Sequence, residues 1–342
     1  GSLYAYGPAR PVPWPLLEQV SSGAVFWGGF VNNSQGSAEQ ILRRLEWTVL
    51  RRLDGLLQGD YRTLLRGTGM DLADLREYQH HDDVRHIDWN VTARLQQPHV
   101  RVFTEDREMS AWFLLDLSPS MDFGSGVQRK RSISSDFVGA LASVLTRHGN
   151  RVGAMLYGAG VDKVVPARGG RKHVLDLLHS LQNRPDAAPT GATRLHELLE
   201  SAARQIRRRS TIFVVSDFIS EAGWEKPLGM LAQRHEVVAV RLLDPLELEL
   251  PDLGLIPMVD AETGEHLMVD THDAGFRKRF ARIAAQREVV LRQSLMRAGV
   301  DTLELATDGD LVSALMRFTD LRKQRSRAAA GKRLPAHLKL AA

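Results

Sequence analysis

From Ala111 onward, apolar residues occur in two alternating patterns: short continuous runs and longer segments with helical spacing. The short runs predict strands at 111–116, 152–157, 163–166, 211–216, 236–243 and 301–306. The longer segments predict helices near 128–148, 170–183, 194–208, 222–234, 273–298 and 309–326. Strands that alternate with helices in this way usually form a mostly parallel sheet with helices on both faces. We therefore expect a doubly wound α/β domain over residues 110–326.

Other segments interrupt or precede this alternation. Residues 259–265 lie between two short apolar runs and predict a β-hairpin inserted at the edge of the sheet. Residues 37–109 predict a helical and irregular extension of the domain, which begins with an amphipathic helix at 37–57. Residues 1–36 are rich in Gly, Pro, Ser and Asn and have no period, so we expect a flexible or non-native segment there.

The composition is that of an ordinary globular protein, because 43% of the 342 residues are hydrophobic and 25% are charged. The length indicates two domains, or one large domain with an extension. There is no cysteine, which excludes disulfides, thiolate metal ligands and cysteine nucleophiles. No apolar run reaches the roughly 18 residues that a membrane span needs, and this favours a cytoplasmic location.

The net charge of +4 is unevenly distributed along the chain. Residues 321–342 contain seven Lys and Arg residues and no acid, so the rest of the chain sums to −3. We expect residues 327–342 to be a basic, disordered tail. Nucleic-acid binding is not predicted, because no aromatic or Gly-rich signature accompanies these cations.

Oxygen-bearing side chains stand at the ends of two predicted strands and in a third loop. They are Asp116, Ser118, Ser120, Thr193 and Asp217. In an open α/β sheet, the carboxyl ends of the strands form the edge at which ligands bind. Two carboxylates with three neutral hydroxyls suit a hard cation such as Mg²⁺, Mn²⁺ or Ca²⁺. Such a site would hold the cation loosely and leave one position open for a carboxylate from another molecule.

This pattern resembles the von Willebrand factor A domain, whose metal-ion-dependent adhesion site has DxSxS in one loop, Thr in a second and Asp in a third. All five positions match. Upstream, LREY at 75–78, DDVRHIDW at 82–89 and TAR at 92–94 resemble the signature of a bacterial family known as domain of unknown function 58. One departure is His81, where the family usually has Gly before the paired acids. The resemblance covers roughly residues 40–326.

The resemblance implies a Rossmann-type fold and a metal-ion-dependent adhesion site at the five oxygen ligands. It also implies a non-enzymatic protein-interaction module that serves as an adaptor or co-chaperone. Proteins of this family are typically linked to MoxR-type AAA+ ATPases. The expected partners are therefore such an ATPase and a client protein.

Two other functions stay open at this stage. One is a Mg²⁺-dependent phosphohydrolase in which Asp116 attacks phosphorus and Asp217 holds the metal. Against it, Ser118 stands where haloacid-dehalogenase-type phosphatases carry a second Asp. The other is a scaffold that binds its partners through the amino-terminal helix or the tail, with a vestigial metal site.

Two residue clusters are given structural rather than functional interpretations. His80, His81 and His86 lie near several acids and could be drawn as a zinc site, but their spacing follows no recognised zinc motif. The basic runs at 129–131 and 207–209 lie on or near predicted helix ends and indicate solvated faces.

Overall fold

The computed structural model describes residues 37–56, 74–79, 84, 87, 89–102, 110–126, 128–183, 192–259 and 266–332. The strands in this part of the chain are β1 (Asp74–Glu77), β2 (His99–Val102), β3 (Ser110–Asp116), β4 (Arg151–Tyr157), β5 (Val161–Arg168), β6 (Thr211–Ser216), β7 (Glu236–Leu243), β8 (Leu255–Val259), β9 (His266–Asp270) and β10 (Asp301–Ala306). Its α-helices are α1 (Ala38–Leu45), α2 (Arg51–Leu56), α3 (Trp89–Leu95), α4 (Lys130–Arg147), α5 (Arg171–Gln182), α6 (Leu195–Gln205), α7 (Glu225–Arg234), α8 (Ala274–Ala298) and α9 (Leu311–Lys332). Shorter helical turns are formed by Glu46–Leu50, Pro119–Asp122 and Pro245–Glu247.

Six strands form the central sheet in the order β10-β7-β6-β3-β4-β5. Each neighbouring pair is parallel except β4 and β5, which are antiparallel. Because successive side chains of a strand point to opposite faces, Phe113 and Leu115 of β3 belong to one core and Leu114 belongs to the other. Both faces are therefore covered, and the prediction of a doubly wound, mostly parallel α/β domain is confirmed.

Three phenylalanines form the centre of the core on one side of the sheet. The rings of Phe113 in β3 and Phe213 in β6 stack with centroids 5.4 Å apart. Phe137 of α4 meets them edge-on, at 6.2 Å and 5.9 Å. These are favourable arrangements of aromatic quadrupoles. They fix how α4 lies on the sheet and thereby where its first residue, Lys130, is placed.

The predicted amphipathic helix at the start of the extension is confirmed. The Ser37 hydroxyl accepts a hydrogen bond from the amide of Gln40, and the Gln40 side chain accepts one from the amide of Ser37, which makes a capping box. Leu42 and Leu45 are 1% exposed and pack into the same core as β3. This helix is therefore part of the main domain's core rather than a surface appendage.

The predicted hairpin insertion is also confirmed. β8 and β9 pair antiparallel, with Leu255 opposite Asp270. Ile256 and Val269 pack with Phe280 of α8 in a small core of their own. In the extension, β1 and β2 form another antiparallel pair.

The last helix is longer than predicted. We expected it to end at residue 326, but α9 continues to Lys332, so residues 327–332 of the expected disordered tail are helical. Three consecutive alanines in this stretch favour a helix, which a prediction based on charge alone overlooked. Residues 1–36 and 333–342 lie outside the described residues. None of the described helices is long and apolar enough to cross a membrane.

Candidate metal-binding site

The predicted ligands lie at the carboxyl ends of the two central strands. β3 ends at Asp116, and Asp217 directly follows β6, its parallel neighbour. Because parallel neighbours end at the same edge, the fold brings these two carboxylates to one rim of the sheet. All five candidate ligands are buried, with exposed fractions of 0% for Asp116, 1% for Ser118, 6% for Ser120, 4% for Thr193 and 3% for Asp217.

Asp116 is held by donors from both strands. Its Oδ1 accepts a hydrogen bond of 2.9 Å from the Ser118 amide, and its Oδ2 accepts one of 2.6 Å from Ser216 Oγ. The turn into Pro119–Asp122 then places Ser118 Oγ and Ser120 Oγ 3.2 Å apart. Ser216 was missed by the sequence reasoning, because its role depends on the pairing of β3 with β6.

The loop that carries Thr193 is tied to the loop that follows β6. The Thr193 carbonyl accepts hydrogen bonds from Ser220 Oγ and from the Glu221 amide, both at 2.8 Å. On its other side, the amide of Arg194 donates to the Tyr157 hydroxyl at the end of β4, over 3.2 Å. The second loop is therefore fixed from both sides of β3.

Asp217 is bound by a buried lysine. One carboxylate oxygen accepts from the Ile219 amide at 2.9 Å, and the other lies 2.7 Å from Lys130 Nζ. The same ammonium lies 2.5 Å from Glu247 Oε1. The Lys130 side chain is 0% exposed, so the ion pairs are shielded from water.

This lysine contradicts one sequence interpretation. We expected the run at 129–131 to be a solvated face, but Lys130 is buried and Arg131 is 7% exposed and paired with Asp122. Burial of these cations is possible because carboxylates face them: Asp217 and Glu247, distant in sequence, face Lys130, and Asp122 faces Arg131. The run at 207–209 is exposed as expected.

The charges of the site shift its pKa values in different directions. Burial, and next the Asp217 carboxylate, raise the pKa of Asp116 to about 6. Burial also opposes the ionisation of Asp217, but the Lys130 ammonium outweighs it and lowers that pKa. For Lys130, burial opposes the charge, yet Asp217 and Glu247 together raise its pKa. Asp217 and Lys130 are therefore both charged at neutral pH, and a cation near Asp116 would favour its ionised form.

The oxygen atoms fit a hard divalent cation. Mg²⁺ binds oxygen ligands at 2.0–2.1 Å in octahedral geometry, which places adjacent ligand atoms about 3 Å apart. The 3.2 Å between Ser118 Oγ and Ser120 Oγ is close to that spacing. Both hydroxyls are buried next to Asp116, which supplies the negative charge. Thr193 and Asp217 could complete the ligand set from the adjacent loops, although one oxygen of Asp217 is bound to Lys130.

A further buried aspartate lies on the same rim. Asp244 directly follows β7 and is 0% exposed. Its carboxylate accepts hydrogen bonds from the amide and hydroxyl of Ser125, from Thr307 Oγ1 and from the Leu246 amide, at 2.6–2.9 Å. Asp244 therefore joins the loop before α4 to the ends of β7 and β10. The sequence reasoning did not single it out, although its position after an apolar strand is the same signal that identified Asp116.

The zinc hypothesis cannot be followed in the structure, because His80, His81 and His86 lie outside the described residues. Within the described part of the chain, no group of three or more His, Asp or Glu side chains could hold a metal ion. The candidate ligands above differ from such a group because three of the five are hydroxyls.

The mostly parallel sheet has β3 near its centre, and the loops at its carboxyl rim carry DxSxS, Thr and Asp. These features define a von Willebrand factor A-like domain. The chain belongs to the family described as "Protein of unknown function DUF58", whose model matches residues 74–290. An uncharacterized protein of Mycobacterium tuberculosis is 37% identical over 283 residues, which cover 83% of this chain and 89% of the relative. A protein of Mycobacterium bovis gives the same values.

Two solved structures show a more distant likeness. The conserved hypothetical protein BatB from Bacteroides thetaiotaomicron is 13% identical, with a TM-score of 0.40, over 63% of this chain and 99% of its own. An aerotolerance-related membrane protein from Bacteroides fragilis is 12% identical, with a TM-score of 0.39, over 64% and 99%. Likeness at this level carries no information about function.

Proposed function

We propose that this chain is a non-enzymatic protein-interaction module that binds a partner carboxylate through a metal-ion-dependent adhesion site. The observation that supports this most is that buried, oxygen-bearing side chains lie on one rim, with Ser118 Oγ and Ser120 Oγ 3.2 Å apart. Asp116, Ser118, Ser120, Thr193 and Asp217 would hold Mg²⁺, Mn²⁺ or Ca²⁺.

The chemistry of these ligands favours adhesion. Neutral hydroxyls offset little of a dication's charge, so a bound cation would attract a further anionic ligand from another molecule. The family resemblance suggests the partners: a MoxR-type AAA+ ATPase and a client protein, which this chain would connect as an adaptor or co-chaperone in the cytoplasm.

A phosphohydrolase is less well supported. Its proposed nucleophile would be Asp116, but Ser118 replaces the acid that such enzymes place two residues later. Lys130, the buried lysine beside Asp217, is bound to two carboxylates and is therefore not an independent clamp for a phosphate group.

The proposal can be tested by affinity capture from the native host, followed by mass spectrometry. The wild type, Asp116→Ala and the milder Ser118→Ala are compared in Mg²⁺ and in EDTA. Asp176→Ala, on the exposed surface of α5, is the matched control. Circular dichroism checks that each variant is folded. We expect an ATPase or client to be captured only by the wild type and the control, and only with Mg²⁺.

Capture of the same proteins by all variants, in Mg²⁺ and in EDTA alike, would contradict the adhesion mechanism. It would indicate that partners bind another surface. Turnover of phosphoesters by the wild type, lost in Asp116→Asn, would instead favour the hydrolase. Each outcome therefore selects one of the functions considered.

A further inference from the structure

Lys130 differs from an ordinary surface lysine in how firmly it is held. It is the first residue of α4, and its ammonium contacts Asp217 at 2.7 Å and Glu247 at 2.5 Å with no solvent exposure. Glu247 is itself fixed, because its other carboxylate oxygen accepts a hydrogen bond of 3.1 Å from the Asp244 amide. The Phe137 packing described above anchors the helix behind it. The positive charge therefore cannot swing away into water.

The Lys130 ammonium is bound to Asp217, which is one of the candidate metal ligands. A divalent cation that used Asp217 would approach an ammonium bound to the same carboxylate, and like charges repel strongly where water is excluded. The ammonium also offsets part of the negative charge that Asp116, Asp217 and Glu247 would otherwise leave buried without compensation. The protein can thus remain folded before a cation is bound.

We propose that Lys130 is a built-in counter-ion of the site, which weakens its affinity for divalent cations and stabilises the cation-free state. This inference rests on the proposed function, because it concerns the same cation site. It gives Lys130 a role in setting affinity rather than in binding the partner. Glu247 has the opposite role, since it offsets the charge of Lys130.

Because Lys130 and Glu247 carry opposite charges, removing each charge should change the affinity for divalent cations in opposite directions. Binding of Mn²⁺ alone is measured by isothermal titration calorimetry for the wild type, Lys130→Met, Glu247→Gln and Arg131→Met. Met keeps the length and apolar stem of the lysine but removes its charge. Arg131→Met is the matched control, because Arg131 is an adjacent, mostly buried cation that pairs with Asp122, which is not a candidate ligand.

We expect Lys130→Met to bind Mn²⁺ about tenfold more tightly than the wild type, a change of about 1.4 kcal/mol. Its melting temperature should also rise more steeply with Mn²⁺ concentration, because a ligand that binds only the folded state stabilises it by mass action. Glu247→Gln should bind more weakly, by about threefold or more. Arg131→Met should match the wild type.

A folded Lys130→Met protein that binds Mn²⁺ no more tightly than the wild type overturns the inference, and so does tighter binding by Glu247→Gln. If Lys130→Met does not fold, the direction of the Glu247→Gln change decides. Binding by the wild type with no gain in Lys130→Met leaves the proposed function intact and removes this inference. Binding by Lys130→Met alone supports the inference but removes cation dependence from the proposed function. No binding by either protein overturns both.

Discussion

Replacing Asp244 by Asn should destabilise the protein although the two side chains have the same shape. Oδ2 of Asp244 accepts from the Ser125 amide and Thr307 Oγ1, and Oδ1 accepts from Ser125 Oγ and the Leu246 amide. Each oxygen thus receives one backbone amide and one hydroxyl. A hydroxyl can rotate and become an acceptor, but a backbone amide cannot.

The size of the expected loss in stability follows from how the four donors are shared between the two oxygens of Asp244. Whichever way the Asn amide is turned, its NH₂ group faces one backbone N–H, which then has no acceptor in a buried place. Leaving one such group unsatisfied costs about 1–3 kcal/mol, and loss of the charge weakens the bonds that remain. We therefore expect the free energy of unfolding to fall by about 2–4 kcal/mol in Asp244→Asn.

Urea denaturation followed by circular dichroism measures this change, with Asp310→Asn as the control. Both Ser313 donors bind the same oxygen of Asp310, so Asn can keep them, and the 3.5 Å pair with Arg52 is exposed. The control should change by less than about 0.5 kcal/mol. A similarly small effect in Asp244→Asn would refute the reasoning.

The contribution of Asp244 to stability should also depend on pH. Burial opposes its ionisation, but the donors around it outweigh burial and lower its pKa. A group whose pKa is lower in the folded state stabilises the protein above its unfolded pKa and loses that contribution as the pH falls. The difference in stability between the wild type and Asp244→Asn should therefore shrink on acidification.

Three other predictions concern packing and the metal site. Gly139→Ala should lower the free energy of unfolding in urea by about 1–2 kcal/mol, because its Cβ would lie 2.8 Å from the buried Leu45 Cδ1. Gly229→Ala should instead raise it by about 0.5–1 kcal/mol, because beyond the adjoining backbone of its own helix the first described atom, Ala298 Cα, is 3.9 Å from the new Cβ. Phe213→Ala should cost about 3–5 kcal/mol in the same assay, because it empties the centre of the aromatic cluster. The pKa of Asp116 is raised to about 6, so its contribution to the stability of EDTA-treated protein is present below the ordinary value of 3.8 and is lost as the pH rises through 6. Subtracting the Asp116→Asn curve isolates that change, and a difference without slope between pH 4 and 7 would contradict it.

The strands were predictable because both faces of the sheet are covered. In β6, Ile212 and Val214 belong to one core and Phe213 and Val215 to the other, so residues 212–215 are all apolar. For the same reason, Asp217 stands out as the first charged residue after the run. Element order and candidate ligands could therefore be predicted without knowledge of long-range contacts.

The environment of Lys130 could not be predicted in this way. Its neighbours in sequence are arginines, which indicate a solvated face, whereas its partners Asp217 and Glu247 lie 87 and 117 residues away. A buried charge depends on partners that only the tertiary structure brings together. Local pattern therefore singled out the candidate oxygen ligands and missed the lysine that is bound to one of them.

The position of β3 in the middle of the sheet has a consequence for synthesis. β4 begins 35 residues after β3 ends, but β6, its other neighbour, begins only after 95 residues. At about 5–20 residues per second, the ribosome needs roughly 5–20 s to make that interval. During this time one edge of an apolar strand has no partner, which exposes the nascent chain to wrong pairing. Asp116 and Asp217 also stay apart until β6 joins, so partner capture through both residues would be restricted to chains in which β6 has paired with β3.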